Sequence, residues 1–374
     1  MLALAAAPLQ IPIVALDADP LCPASRVAEV ITGPLGDRAS LYRLADSSDV
    51  LTFEIEHTNP PILAELEAAG HTVRPSAGVL SLIADKLHQK RFFESCDLPV
   101  APLIAEDAST LRGSLPESIP KAVQKARRGG YDGRGVAVVS GGASLPLPGP
   151  SFVERAIDIT TEIAVIVTRF PDGSLHHWEP VEMGFDSRLH LVRHVVSPAA
   201  VSEGVAREAV AIGRAAAAAL GDRGLVGVLA VELFVDSGGR VILNEVAPRP
   251  HNSGHLTIEG SGCSQFEQHV RAVAGLPPGD TTMSGPVAMV NLVAEDTATA
   301  GPYRIEGRER ALTHRDVHLH LYGKRDLRRG RKMGHVTARA ATTEEALAKA
   351  VEAARAIRFV PCTPAERRTA DGGA

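Results

Sequence analysis

The segment VLAVELFVDSGGRVILNEVA, residues 228–247, limits the possible folds of this chain more than any other part of the sequence. Two apolar runs rich in β-branched residues flank Ser237-Gly238-Gly239, which predicts an antiparallel hairpin with a two-residue turn at Gly238-Gly239. With that turn, Glu232 lies directly opposite Glu245 on one face of the hairpin. Like charges that face each other across a ladder are destabilising, so the pair needs a compensating interaction.

A divalent cation would supply that interaction, because Mg²⁺ is commonly held by one or two carboxylates together with substrate phosphates. The alternative is that both acids lie on the solvated face of an edge hairpin. Val228, Ala230 and Phe234 share that face, and their apolar side chains argue against the solvated alternative. The hairpin therefore predicts a magnesium site formed by Glu232 and Glu245.

The loop KARRGGYDGRG, residues 125–135, lies between two predicted strands and carries four glycines and three arginines. Glycines let backbone N–H groups approach an anion closely, and the cations complement phosphate charge. The loop lacks the GxxxxGK[ST] pattern of a Walker A motif, and no helix follows it. We interpret it as a phosphate-binding loop, with an exposed hairpin loop as the alternative.

Residues 244–255, NEVAPRPHNSGH, concentrate polar groups in a stretch made rigid by two prolines. Too many of these groups would need partners in a core strand or helix, so a ligand-facing loop is the better interpretation. A zinc site at His251 and His255 is the alternative, but no third ligand lies nearby in the sequence.

Residues 322–335, YGKRDLRRGRKMGH, are strongly basic in a chain whose net charge is −5. Nucleic-acid binding would require a broad basic surface with aromatic side chains for stacking, and the chain has one Trp and four Tyr. A compact phosphate pocket fits better, with a solvated basic turn as the alternative.

The remaining pattern predicts an α/β protein of two or three domains, because 374 residues exceed one ordinary core. Strands are expected at 11–16 and 50–55, and a helix at 202–220 with Ser202 as N-cap and Gly221 just beyond its end. Further helices are expected at 264–274 and 343–357. The four cysteines are scattered, which is typical of a reduced, cytoplasmic protein, and no apolar run is long enough to span a membrane.

Taken together, these segments resemble the family of 5-(carboxyamino)imidazole ribonucleotide synthetases, ATP-grasp enzymes of purine biosynthesis. The resemblance extends from residue 1 to about 340. It is carried by TFEIEH, QKARRGGYDGRG, VGVLAVELFV, NEVAPRPHNSGH, CSQFEQHVRAV and HLYGKRDLRRGRKMGHV. It implies an ATP-grasp fold with an N-terminal doubly wound α/β domain (1–78), an ATP-grasp domain (79–274) and a small β-rich C-terminal domain (275–360). Residues 361–374 are expected to be a disordered tail.

The resemblance also implies the chemistry: ATP and Mg²⁺ drive carboxylation of aminoimidazole ribonucleotide by bicarbonate, through carboxyphosphate, with the loop at 127–135 closing as a lid. It implies a homodimer that binds neither nucleic acid nor membrane. Two rivals remain at this stage, namely an ATP-grasp ligase that activates formate or an amino acid, and a nucleotide-binding module without turnover.

The resemblance assigns roles to individual residues of this chain. The ATP-binding positions are Lys86, Lys125, Gly130, Tyr131, Asp132, Gly133, Glu154, Glu162, Asn244 and Glu245, with Glu154 near adenine and Glu162 near ribose. The positions around the ribonucleotide are Tyr131, Asn252, Ser253, Lys324, Arg331 and Lys332. Arg249, His251 and Asp132 are the catalytic candidates, and Glu232 and Glu245 match the two magnesium ligands. Taken without the family, Glu154 and Glu162 are typical of exposed strand ends, and Lys86 and Lys90 of a solvated helix face.

Members of the family begin with a strand and a glycine-rich loop that precede the first helix, whereas residues 1–7 match the body of that helix. We therefore expect the first domain to be truncated, with the strands at 11–16 and 50–55 lacking a shared neighbour. We also expect the true start of the protein to lie upstream.

Overall fold

The computed structural model describes residues 1–56, 58–130, 135–186, 191–294, 300–363 and Glu366. The roles predicted for Tyr131, Asp132 and Gly133 therefore lie outside the described residues, as does most of the predicted tail. The α-helices are α1 (Leu2–Ala6), α2 (Arg38–Asp46), α3 (Pro60–Ala68), α4 (Ala77–Ile83), α5 (Lys86–Ser95), α6 (Glu203–Gly221), α7 (Thr257–Gly260), α8 (Gln265–Ala274), α9 (Arg308–Ala311) and α10 (Thr343–Ala356).

The β-strands are β1 (Val14–Asp17), β2 (Glu29–Thr32), β3 (Val50–Leu51), β4 (Thr72–Val73), β5 (Leu103–Ala105), β6 (Lys121–Ala126), β7 (Val136–Ser140), β8 (Ser151–Arg155), β9 (Ile159–Arg169), β10 (Leu175–His177), β11 (Val181–Asp186), β12 (Leu191–Ser197), β13 (Gly227–Asp236), β14 (Val241–Ala247), β15 (Val287–Val293), β16 (Tyr303–Glu306), β17 (Val317–Leu321), β18 (Lys332–Arg339) and β19 (Arg358–Pro361).

The N-terminal region contains two short parallel sheets with helices packed around them. β1 pairs with β2, and β3 pairs with β4. Both predicted strands are shorter than expected, because β1 begins only at Val14 and β3 consists of Val50 and Leu51. The chain leaves the sheet after Leu51, so that Glu54 and Glu56 are exposed beyond the carboxyl end of β3. Ligands usually approach parallel sheets at that end.

Two antiparallel sheets build the centre of the molecule. The smaller has the order β5-β8-β6-β7 and carries the predicted phosphate loop between β6 and β7. The larger has the order β14-β13-β9-β11-β12-β15-β18-β17, with β10 paired to β9. This large sheet is continuous from the predicted metal hairpin at one edge to the basic C-terminal strands at the other.

Helix α5 lies beside the hairpin because the chain that follows the helix is attached to β14. Val100 forms an isolated parallel bridge with Leu243, and the Leu243 N–H donates to the Pro99 carbonyl at 2.7 Å. At the other end of the helix, the Asp85 carboxylate caps the first turn by accepting from the Leu87 N–H at 3.1 Å. Both ends of α5 are thus fixed.

The long helix α6 confirms one predicted end and corrects the other. Ser202 is the N-cap, and its hydroxyl accepts from the Val205 N–H. Gly221, expected just beyond the helix, is its last residue. A Cβ at this position would lie 2.5 Å from Arg169 Nε, so glycine lets the Arg169 side chain pack closely against the end of α6 and does not serve as a left-handed cap. No helix among the described residues has the length and apolarity needed to cross a bilayer.

Candidate active site

The predicted carboxylate pair exists, although the turn that joins its strands differs from the prediction. Glu232 lies directly opposite Glu245. The loop contains three residues, because Val235 pairs with Val241 and the Asp236 N–H donates to the Arg240 carbonyl at 3.1 Å. That turn alone would shift the register by one residue.

A β-bulge in β14 restores the predicted pairing. Leu233 pairs with Leu243 and Glu232 with Glu245, so Asn244 is the extra residue opposite a single step of β13. Bulges of this kind re-aim side chains and are common beside active sites. Here Asn244 Oδ1 accepts a hydrogen bond from Lys125 Nζ at 2.9 Å, while the adjacent Glu245 contacts Lys86.

The two carboxylates titrate very differently. Burial, together with the charge of Glu245, raises the pKa of Glu232 to about 8. Burial also acts to raise the pKa of Glu245, but its contact with Lys86 more than offsets this and lowers the pKa. At neutral pH without a metal, Glu245 is therefore ionised and Glu232 is largely protonated.

One face of helix α5 contacts both the hairpin and strand β8. Lys86 Nζ contacts Glu245 Oε2, Gln89 Oε1 accepts from the Val246 N–H at 3.0 Å, and Lys90 Nζ lies 2.7 Å from Glu154 Oε2. Lys86 and Lys90 were each expected to be solvated from the helical pattern alone. That expectation is wrong, since Lys86 is mostly buried and Lys90 is only 8% exposed.

Glu154 is buried between two lysines. Its Oε2 lies 2.7 Å from Lys90 Nζ and its Oε1 lies 2.7 Å from Lys125 Nζ. Burial acts to raise the pKa of Glu154, but the two ammonium groups lower it. The interpretation as an exposed strand-end acid is therefore wrong for Glu154, because a buried carboxylate requires partners that only the fold assembles.

Asp85 joins the first turn of α5 to the base of the glycine-rich loop. Both of its carboxylate oxygens accept hydrogen bonds from Arg127, whose Nη2 lies 2.7 Å from Oδ2. The Lys86 N–H donates to the Arg127 carbonyl at 2.8 Å. These bonds fix Lys86 relative to Lys125, two residues before Arg127. Gly130, the last described residue before the gap, follows this anchored segment.

Glu162 lies on β9 opposite Phe234, next to the hairpin. Burial raises its pKa to about 7, Lys125 opposes that rise and Glu245 adds to it. Glu162 is thus electrostatically linked to both Lys125 and Glu245, and it is not the exposed acid that its position in the sequence suggested.

The proline-rich loop places His251 against the carboxylate pair. Its Nε2 lies 3.3 Å from Glu232 Oε1. The Ser253 N–H donates to Nδ1, so Nε2 carries the proton and faces the carboxyl group. Burial and the charges of Arg249 and Lys332 hold the pKa of His251 well below its usual value. Ser253 is fully buried and its hydroxyl contacts Nδ1 at 2.9 Å, so it orients His251.

The neighbouring loop residues are held by groups from other regions. Arg249 Nε lies 3.2 Å from Glu56 Oε1, so the two side chains form an ion pair. The N–H of Nε is not aligned for a hydrogen bond. Asn252 and Asn291 exchange side-chain hydrogen bonds of 2.9 and 2.7 Å. Asn291 is buried on β15 and also donates to the Val192 carbonyl at 2.8 Å. The proline-rich loop is thereby attached both to the N-terminal region and to the C-terminal strands.

Three residues of the basic segment were predicted to bind the ribonucleotide, namely Lys324, Arg331 and Lys332, and they have different surroundings. Lys332 is close enough to Glu232 and His251 for its charge to oppose the rise in the pKa of Glu232 and to add to the lowering of the pKa of His251. Lys324 Nζ donates to the Lys332 carbonyl at 2.7 Å. Arg331 Nη1 donates to the Asp326 carbonyl at 2.8 Å, and its pKa is lowered first by burial and then by Arg328.

A cluster of rings behind the loop was not predicted. His320 stacks on His335 with ring centroids 4.4 Å apart, and the Tyr322 hydroxyl lies 2.9 Å from His335 Nδ1. His320 Nε2 is also 2.6 Å from Glu259 Oε1. Burial lowers the pKa of His255, beside this cluster, to about 3. The cluster packs β17 and β18 against the segment that follows the proline-rich loop.

The hairpin is suited to Mg²⁺ but offers no site that is complete by itself. No set of three His, Cys, Asp or Glu side chains suited to a metal occurs within the described ranges. This finding gives no support to the zinc alternative at His251 and His255. Two facing acids, one in contact with Lys86 and the other beside His251, match an ion that takes its remaining ligands from phosphates and water.

Four positions near these groups were missed by the sequence reasoning: Asp85, Gln89, Lys90 and Asn291. Three of them share the site face of α5, where positions 85, 86, 89 and 90 follow helical periodicity. That spacing was visible, but polar residues at such a spacing usually indicate a solvated face. Asn291 lies in an apolar strand and gave no usable signal.

Three family models match consecutive parts of the chain: a ribonucleotide synthetase preATP-grasp domain over residues 1–84, an ATP-grasp domain over 91–266, and a phosphoribosylaminoimidazole carboxylase C-terminal domain over 287–349. The N5-carboxyaminoimidazole ribonucleotide synthase of Bacillus subtilis is 35% identical over 325 residues, which cover 84% of this chain and 82% of that protein. The structure of the Thermotoga maritima synthetase matches with a TM-score of 0.85 at 35% identity, over 96% of both chains. The Aspergillus clavatus synthase, solved with ADP and 5-aminoimidazole ribonucleotide, matches with a TM-score of 0.82 at 28% identity over 95% of both chains.

The raised pKa of Glu232 predicts a pH-dependent difference in stability between Glu232→Gln and the unmodified protein. Between pH 4.5 and about 8, the folded protein holds a proton on Glu232 that the unfolded chain has released. The stabilisation from this group is complete below pH 4.5 and is lost as the pH rises through 8. We therefore compare the two proteins in EDTA by the Tm of Glu232→Gln minus the Tm of the unmodified protein. This difference should be larger at pH 9 than at pH 5 by about 2 °C or more.

The difference between the two proteins is the quantity to measure, because buried histidines such as His255 and His269 change stability in the opposite direction below pH 6.5. Thermal melts of both proteins across this range provide the measurement. A difference in Tm that stays constant with pH would contradict the proposed protonation of Glu232.

Proposed function

The chain belongs to the N5-carboxyaminoimidazole ribonucleotide synthase family, and from that premise we propose that it carboxylates 5-aminoimidazole ribonucleotide with ATP and bicarbonate, in purine biosynthesis. The observation that carries the proposal is the partly buried pair of Glu232 and Glu245 between Lys86 and His251. Such a pair suits an enzyme that moves a phosphoryl group with metal assistance, rather than a module that only binds a nucleotide.

In the proposed reaction, a bicarbonate oxygen attacks the γ-phosphorus of ATP, the bond to the β-phosphate oxygen breaks, and ADP leaves. The product, carboxyphosphate, is a reactive mixed anhydride. The exocyclic amine of the ribonucleotide then attacks its carbonyl carbon, the bond to the phosphate oxygen breaks, and phosphate and one proton are released. Every step develops or moves negative charge, which preorganised cations stabilise.

The residues suit these steps as follows. Lys86 and Lys125 are positioned to neutralise the transferring phosphoryl group. Glu232 and Glu245 would hold Mg²⁺, which supplies charge neutralisation and orientation on the phosphates when it is bound. Glu162 is the proposed ribose contact. For Glu154 we propose an adenine contact through the backbone, because both of its carboxylate oxygens are paired with lysines.

On the ribonucleotide side we propose contacts from Arg249, Asn252 and the basic segment. The proton shed by the amine has three candidate acceptors: His251, Asp132 and the departing phosphate. His251 is a weak base here, since Nδ1 is occupied and its pKa is held well below the usual value by burial and nearby cations. We therefore propose the departing phosphate as the acceptor, with His251 orienting Glu232.

We also propose a cytoplasmic homodimer, as the family resemblance implies. The four cysteines are free, which is compatible with a reducing compartment. Light scattering of the purified chain measures the oligomeric state directly.

The activity is tested by following ADP release with each substrate omitted in turn. We expect release to require both 5-aminoimidazole ribonucleotide and bicarbonate. Release that depends on formate would instead indicate an ATP-grasp ligase of different specificity. Binding of ATP without any release would indicate a nucleotide-binding module.

Glu245→Gln should abolish magnesium-dependent ATP turnover while leaving the protein folded. Without the charge of Glu245, Glu232 can ionise and serve as the counter-charge of Lys86, whose pKa it already raises, so the metal-free fold loses little. The site, however, loses an anionic ligand. Turnover and Tm are measured beside Glu208→Gln, which removes an exposed acid on α6. A Glu245→Gln protein that unfolds, or that keeps more than about a tenth of the turnover of the unmodified protein, would show that the pair is structural.

Lys332→Ala and Arg331→Ala should each weaken the binding of the ribonucleotide far more than the binding of ATP. Loss of a charge-assisted phosphate contact costs about 1.5–3 kcal/mol, which raises KM roughly tenfold or more. Arg339→Ala is the matched control, because Arg339 is exposed at the other end of β18. Steady-state kinetics with each substrate varied in turn give both KM values, and equal losses for the two substrates would contradict the assignment.

A further inference from the structure

We propose that Lys90 is a positioning residue that balances the charge of Glu154 and so leaves the positive charge of Lys125 available to the nucleotide phosphates. The inference rests on the proposed function, because it assumes that Lys125 meets phosphate. The family resemblance assigns no role to Lys90, and its location in the sequence indicated only a solvated helix face.

The geometry points to a counterion rather than to a ligand. Lys90 is 8% exposed and its Nζ lies 2.7 Å from Glu154 Oε2, on the opposite oxygen from the one that Lys125 contacts. Lys125 Nζ also donates to Asn244 Oδ1 at 2.9 Å. Among the described residues, Lys125 thus uses two of its three N–H donors on protein groups and keeps one for a ligand.

The charge balance explains why a second lysine is needed. Lys90, Glu154 and Lys125 together carry one net positive charge, whereas Glu154 and Lys125 alone would be neutral. A neutral buried pair attracts a phosphate much less than a pair with one surplus cation. Glu162, whose pKa is about 7, is partly ionised at neutral pH and lowers the net charge equally with and without Lys90, so the one-charge difference made by Lys90 remains.

Two further observations agree with this arrangement. Burial lowers the pKa of Lys90, Glu154 opposes that effect, and the charge of Lys125 adds to it, so the two ammonium groups are close enough to repel each other. Helix α5 is also fixed at both ends, which holds Lys90 against Glu154 instead of letting it extend into water. A lysine in this setting strengthens the site through its charge alone.

The test compares the binding of ADP with that of adenosine, in the presence of Mg²⁺, for Lys90→Met. Adenosine makes the base and ribose contacts but has no phosphate, so the ratio of the two affinities isolates the phosphate contribution. We expect Lys90→Met to lower the affinity for ADP by about tenfold or more and to change the affinity for adenosine by less than about twofold. Arg91→Met is the matched control, because Arg91 is an exposed cation on the same helix, paired with Glu94 and Glu106. It should change neither affinity.

A double variant separates charge balance from direct contact. Lys90→Met combined with Glu154→Gln removes both balancing charges and leaves Lys125 with its net positive charge, so the ratio of ADP to adenosine affinity should return toward that of the unmodified protein. Should Lys90→Met fail to fold, the double variant is compared with the unmodified protein directly, and a tenfold lower ratio overturns the proposal.

Equal weakening of both ligands would show a structural role and overturn the proposal, as would no weakening of either. Selective loss of ADP that the double variant does not restore would mean that Lys90 contacts the phosphate itself, which also overturns it. An unmodified protein that binds neither ADP nor adenosine would overturn the proposed function instead.

Discussion

The candidate site depends above all on buried charges that remain charged because each has a partner of opposite sign. Glu154 lies between Lys90 and Lys125, Lys86 contacts Glu245, and Asp85 holds Arg127. A charge removed from water is tolerated only with such partners and hydrogen bonds, so each side chain restricts the position of the next. The network joins the N-terminal end of α5, the small sheet and the hairpin, which are distant in the sequence.

Glu232 is the exception in this network, and its behaviour explains how the site can take a cation. Its pKa rises to about 8 because it is buried and faces Glu245, which keeps its own charge through Lys86. In the absence of metal, the repulsion is relieved by a proton on Glu232 rather than by movement of the strands. A divalent ion can replace that proton, and His251 keeps the carboxyl group oriented from the other side. The residues proposed to bind the phosphates and those proposed to bind the ribonucleotide therefore meet at one residue pair.

Continuity of the large sheet brings the ribonucleotide side to this pair. β14 and β13 carry the acids, and β18, which follows the basic segment, belongs to the same sheet. The reciprocal bonds of Asn252 and Asn291 attach the proline-rich loop to β15. The stacked rings of His320 and His335 fix the basic strands behind that loop. The positive charge of Lys332 thus reaches Glu232 and His251 although it lies about a hundred residues further along the chain, as the shifts in their pKa values indicate.

The sequence by itself determined the elements whose signals are local. The hairpin and its facing glutamates follow from strand patterning, the cap at Ser202 from helix chemistry, and the family from motifs in a fixed order. Tertiary structure decided the rest, because burial and long-range pairing are not written in local patterns. The three-residue turn and the bulge at Asn244 together gave the predicted pairing by a different route. Glu154, Lys86 and Lys90 looked solvated and are buried, since their partners come from other segments. The role of a buried charged side chain depends on which opposite charge lies beside it. Tertiary packing determines that partner, and the neighbouring residues in the sequence do not.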